Sequence, residues 1–248
     1  MWPGVEKSQQ RPVYFYNSRQ AALDDTCLGQ HGKGVSDLFS APSARLQMGE
    51  MCGRLFVLLH DPAHEKISTV ARDFAAAHET FHLAGQIFGG ATPDLIFAPR
   101  PRVTPGADRF FAYLASSLNG AGKSVSEQTI SDISKAYEAL SVDEKNVVDF
   151  YSVCEWPAEF YAYKVLESQE REWTLDRYLG VRKEIGDELS YRVAIPVGLA
   201  LDRQLGNGQW EARVFQGESM FGILTRIFAP SPQPNFVFYK VTSFDLAF

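Results

Sequence analysis

The run His78-Glu79-Thr80-Phe81-His82 is the clearest chemical signal in this chain of 248 residues. Residues four apart on a helix lie one above the other, so both imidazoles can turn toward one metal ion. Glu79 is rotated off that line, where its carboxylate can take a proton from a water activated at the metal without binding the metal itself. Residues 75–77 and 83–85, which flank the pentapeptide, carry no charge and no proline. That is the expected setting of an active-site helix packed against a core. The plain alternative is a coincidence of spacing on a half-buried helix, a risk that any short motif carries.

The pentapeptide resembles the active-site helix of the zincin metallopeptidases. The resemblance is local, covering this helix and a candidate ligand helix, and it implies a zinc ion and hydrolysis of peptide bonds. A catalytic zinc takes three protein ligands and leaves a fourth position open, so a further ligand must come from elsewhere. The segment Cys154-Glu155-Trp156-Pro157-Ala158-Glu159-Phe160-Tyr161-Ala162-Tyr163 is similar to the gluzincin arrangement, in which a glutamate on a later helix is followed by a small residue and then by an acidic or amide residue. Glu155 fits that order, with Ala158 at plus three and Glu159 at plus four, and the segment also has a faint similarity to the ImmA/IrrE-like peptidases. Glu159 is the alternative ligand, or else the outer partner that accepts a hydrogen bond from a ligand histidine and fixes its ring.

Pro157 departs from the pattern, because a proline either kinks a helix or starts a new one. Small residues at 158 and 162 allow the ligand helix to approach closely. Tyr161 or Tyr163 is a candidate donor to the oxyanion, although aromatic residues at this spacing also suit a core. The competing view of Glu155 and Glu159 is a solvated stripe on an ordinary amphipathic helix. A second choice of third ligand is Asp94, since Gly90-Ala-Thr-Pro-Asp94 looks faintly like the GTxxD segment of the aspartate-type zincins, with the threonine displaced by one position.

Several elements must position these groups. A long helix over about residues 65–88 carries the pentapeptide, with Ile67, Val70, Phe74, Phe81 and Ile87 at helical spacing and Gly89-Gly90 as its stop. His60 and His64 precede it and suit capping or surface positions; His31 lies in a glycine-rich stretch with no partner at ligand spacing. Residues 12–16 predict a short strand, 18–49 a long surface loop with a helical piece near 21–28, and 51–60 a buried strand or helix end. The four prolines of residues 91–106 predict an irregular connection. Helices are expected over 107–118 and 126–140, then after a capping box at Ser141-Val142-Asp143-Glu144, and again over about 171–181.

Ser117-Leu-Asn-Gly-Ala-Gly-Lys-Ser124 imitates a phosphate-binding loop, but serine replaces its first glycine and a helix precedes it, so a glycine-rich turn is the better reading. Past residue 189 the pattern changes to strand-like runs at 191–195, 198–201 and 235–241, with a hairpin turn at Gly206-Asn-Gly208 leading into 209–215. The expected fold is therefore α+β: a single domain over 1–248, with a mainly helical zincin-like core over about 60–185 and a β-rich tail over about 189–248.

Composition narrows the functional classes. With 45% hydrophobic and 13% aromatic residues the chain can bury a substantial core. A net charge of −6 argues against a general nucleic-acid binder. Cys27, Cys52 and Cys154 are odd in number and widely spaced, giving neither a disulfide framework nor a CxxC zinc pattern, and are expected to be reduced or buried. The first residues lack the apolar run of a signal peptide, and no later run has the length of a membrane span. The expectation is a soluble protein, cytoplasmic or exported by a dedicated machine, acting on a protein or peptide. A delivered effector or toxin with an inhibitory or immunity partner is one form this would take. A metal-binding interaction protein and a metal-dependent hydrolase of non-peptide substrates are the alternatives.

Overall fold

The computed structural model describes residues 13–16, 19–31, 47–51, 54–58, 68–82, 86, 100–119, 125–170, 172–206, 209–215 and 217–228. Its described part is dominated by helices. Near the start, β1 (Val13–Tyr16) pairs in parallel with β3 (Arg54–Leu58), which pairs antiparallel with β2 (Gln47–Met51), in the order β1-β3-β2. The helix α1 (Arg19–Asp24) and a 3-10 turn, Leu28–His31, lie between the first two strands in sequence. The strand expected over residues 12–16 is thus present, and of the two readings of residues 51–60, strand or helix end, the strand holds over 54–58. Cys27 is disulfide-bonded and half-buried, contrary to the expectation that the cysteines are reduced or buried, whereas Cys154 is free and buried.

The pentapeptide lies at the end of α2 (Thr69–Thr80), which starts where Ser68 caps the amide of Ala71. The amide and hydroxyl of Ser68 donate in turn to the Glu184 carboxylate at 2.7 and 3.2 Å, tethering this helix start to α7 (Leu175–Ile185). The buried face of α2 runs through Ala71, Phe74, Ala75 and His78, a spacing of three, four and seven, so the first histidine continues the core stripe.

Between them in sequence lie α3 (Pro105–Leu118), α4 (Glu127–Glu138), α5 (Val142–Phe150), a π-helical turn over Tyr151–Glu155 and α6 (Trp156–Gln169). The capping box expected at Ser141 is formed, with Glu144 accepting from the Ser141 amide at 2.8 Å. Helix α6 is central: Trp156, Ala158, Phe160, Ala162, Tyr163 and Leu166 on its various faces are all buried. It packs against α2 and against α9 (Ala194–Leu205).

The expected β-rich tail is not there. Residues assigned to strands at 191–195 and 198–201 belong to α8 (Leu189–Arg192) and α9, and the supposed second hairpin arm is α10 (Glu211–Phe215), followed by α11 (Met220–Thr225). Neither the β-rich C-terminal part nor the α+β class built on it holds for the described residues. The β-branched residues here are buried in helices or at the turn between two of them: Ile195, Val197, Val214 and Ile223, and Val193 between α8 and α9, all join the main core. Packing thereby overrides their strand preference. Gly198 has a packing role, because a Cβ there would meet the Phe160 ring at 2.2 Å, and α9 can approach α6 only without one. Gly206 ends α9 at a φ of 86°, a helix stop and not a hairpin turn. The strand expected at 235–241 lies outside the described residues, as do His60, His64 and Asp94.

Candidate metal centre

Both candidate ligand segments depart from α-helical winding. Phe81, His82 and Gln86 lie in π-helical geometry at the end of the HExxH helix, and Tyr151–Glu155 form the π-turn in which the Trp156 amide reaches back five residues to the Tyr151 carbonyl. Such turns are rare and cluster at functional sites. Pro157 lies in the first turn of α6, so it begins a new helix just after Glu155 and does not kink one.

The result is one cluster of three side chains. His78 Nε2 and His82 Nε2 are 3.1 Å apart, and Glu155 Oε2 lies 3.3 Å from the first and 3.5 Å from the second. All three residues are buried, at 7, 5 and 6% exposure. Glu155 Oε2 is within ion-pair distance of both nitrogens yet meets hydrogen-bond geometry with neither. Ligands held about 2.0–2.1 Å from a shared ion in a tetrahedron stand about 3.3–3.4 Å apart. The three observed separations bracket that edge length, so this donor set fits a small divalent cation. The group His78, His82 and Glu155 can hold a metal ion.

The far sides of the ligands are also engaged. His82 Nδ1 is 2.7 Å from Gln86 Oε1, and Gln86 Nε2 donates to the carbonyls of Val153 and Cys154, each at 2.9 Å. His78 Nδ1 is 3.0 Å from Glu159 Oε2. Glu159 is wholly buried; its other oxygen accepts from the Tyr178 hydroxyl at 2.7 Å and lies 3.5 Å from Arg182 Nε. Arg100 Nη2 stands 3.3 Å from Glu155 Oε1, so one oxygen of Glu155 faces the histidines and the other a cation. The guanidinium groups of Arg100 and Arg182 both lie over the Tyr191 ring, at 5.2 and 4.4 Å, and that ring is 5.9 Å from His78.

The electrostatics match this arrangement. Burial alone would discharge His78, but Glu155 and Glu159 outweigh it and raise the imidazole to about 10. Burial pushes Glu155 up, yet His78, His82 and Arg100 hold it well below the usual carboxylate range. Glu159 is likewise lowered against its burial, chiefly by Arg182 and then by His78. Without a metal, the centre therefore keeps a proton on His78; with one, the metal must displace it.

The solvated-stripe view of Glu155 and Glu159 fails, because neither residue faces water. Glu79 follows His78 off the ligand line, is half-buried, and its charge is felt at His78. Tyr163 stacks on Phe160 and packs against Trp173 and Tyr178, and Tyr161 packs on Phe81. Both tyrosines serve the core in these contacts, and none of the contacts brings them to the ligands. Sequence reasoning passed over Gln86, Arg100, Tyr178, Arg182 and Tyr191. Gln86 lies four residues past His82 on the same line, so helical spacing could have found it; Tyr178 and Arg182, also four apart, carry that signal only once α7 is known to face Glu159.

No protein-family model matches the chain, and comparison with curated proteins and with solved structures gave no match either.

Proposed function

We propose that the chain is a zinc-dependent hydrolase of peptide bonds, with His78, His82 and Glu155 as metal ligands and Glu79 as general base. The observation that carries this reading is the convergence of two imidazole nitrogens and one carboxylate oxygen at tetrahedral-edge spacing, with a helix-borne glutamate next to the first histidine. Two histidines and a glutamate are a known donor set for catalytic zinc, and they leave the fourth position open.

A zinc ion held there would supply Lewis-acid polarisation of a carbonyl and a water acidic enough to react near neutral pH. The chain's own residues do the rest. Glu79, adjacent to the ligand line, takes the proton of the attacking water and passes it to the leaving amine. Glu159 holds the His78 ring from behind, and Gln86 does the same for His82. Arg100 keeps one oxygen of Glu155 occupied, so the carboxylate offers the other. Among the described residues no helix is long and apolar enough to cross a membrane, and the substrate in this reading is a protein or peptide segment.

The test is Glu79→Gln. It should retain metal at the wild-type level and lose cleavage of a random peptide library by at least about a hundredfold, in line with the usual contribution of a general base. Undiminished cleavage by that variant would remove Glu79 from the mechanism.

A further inference from the structure

We infer that Gln86 is a positioning residue of the metal centre and that Pro157 sets the orientation of its side chain, an inference that rests on the metal-site reading above. His82 can offer Nε2 to a metal only as the tautomer that carries its proton on Nδ1. The group facing Nδ1 must therefore accept. A side-chain amide turned one way accepts and turned the other way donates, so its orientation decides the matter.

The ligand helix supplies the decision. In helical winding the Val153 carbonyl would take a hydrogen bond from the amide of residue 157, but that residue is proline and has none. Gln86 Nε2 donates to this carbonyl and to that of Cys154, each at 2.9 Å. Carbonyls can only accept, so the NH2 end must face them, and Oε1 is left facing His82 Nδ1 at 2.7 Å. Gln86 is 2% exposed; the reversed amide would set its oxygen against two carbonyl oxygens, a substantial penalty, and would satisfy His82 only as the Nε2–H tautomer, which cannot offer Nε2 to a metal. The amide also joins the two ligand-bearing turns, because Val153 and Cys154 immediately precede Glu155. A gap left by one proline thus fixes the ring nitrogen presented by a histidine on another helix.

Two readouts test this: zinc affinity by competition with a chromophoric chelator, and the His82 tautomer in metal-free, 15N-histidine-labelled protein. Gln86→Leu should weaken zinc about 10–100-fold, the usual effect of losing an outer partner of a ligand, and should end the dominance of the Nδ1–H form. Gln86→Glu keeps an acceptor for His82 and should keep that tautomer while losing the bonds to the carbonyls. The double variant Gln86→Leu/Pro157→Ala returns an amide hydrogen to Val153 and should recover thermal stability without recovering zinc affinity. Wild-type zinc affinity in Gln86→Leu, recovery of affinity together with stability in the double variant, or an Nε2–H tautomer in the wild type would each overturn the inference. A wild type that binds no zinc, yet changes tautomer on loss of Gln86, would remove the metal reading and leave the orienting role in place.

Discussion

Glu159 Oε2 lies 3.0 Å from His78 Nδ1, while its other oxygen accepts from Tyr178. The carboxylate is completely buried, and its charge is sustained by Arg182 and by the histidine itself. A buried charge so placed orients the imidazole and strengthens it as a donor to a metal.

Replacing Glu159 with glutamine keeps the shape and removes the charge. Zinc affinity should fall about 10–100-fold, as expected for an outer partner of a ligand histidine, and Tyr178→Phe should lower it less. Chelator competition on the two variants measures both effects. An unchanged affinity in Glu159→Gln would mean that the carboxylate serves the fold alone.

The acid and alkaline limbs of stability should separate in metal-free protein. His78 is raised from 6.5 to about 10 in the folded chain, so its contribution is complete below 6.5 and is lost as pH climbs toward 10. Glu155 and Glu159 are lowered from 4.5, so theirs is complete above 4.5 and is lost as pH falls through their folded values. The melting temperature of chelator-treated wild type, compared with His78→Gln to cancel other groups, should show the advantage of wild type fading between 6.5 and 10. Saturating zinc should reverse that trend, because the metal competes with the His78 proton. A constant difference across this range would contradict the assignment.

Gly198→Ala probes the seam between α9 and α6. The added methyl would overlap the Phe160 ring, and overpacking of this kind costs about 1–3 kcal/mol. Urea unfolding followed by tryptophan fluorescence should show a lower midpoint. An unchanged midpoint would mean that Phe160 has room to turn aside.

What was legible in the sequence was local. The His78 and His82 spacing reads directly because a helix imposes it, and the Ser141–Glu144 capping box is a bond between near neighbours. Residues 191–201 misled because Val193, Ile195 and Val197, beside Pro196 and Gly198, have the composition of a broken strand. Pro196 instead falls in the first turn of α9, where no intrahelical partner is lost, and Gly198 answers to Phe160, a contact that no local pattern announces. The same limit applied to the centre. Glu155 could be placed after the motif by order and spacing, but Arg100, Arg182 and Tyr191 meet there only through the packing of separate segments.

The most direct test of the centre is zinc content by plasma mass spectrometry, on protein purified without chelator or immobilised nickel. About one zinc per chain is expected in the wild type, as three protein ligands and an open position require. Near-complete loss is expected in His82→Ala and Glu155→Ala, with retention in Asp94→Ala. A folded wild type that takes up no zinc even in excess, or a Glu155→Ala variant that keeps its full complement, would contradict the assignment of His78, His82 and Glu155 as ligands.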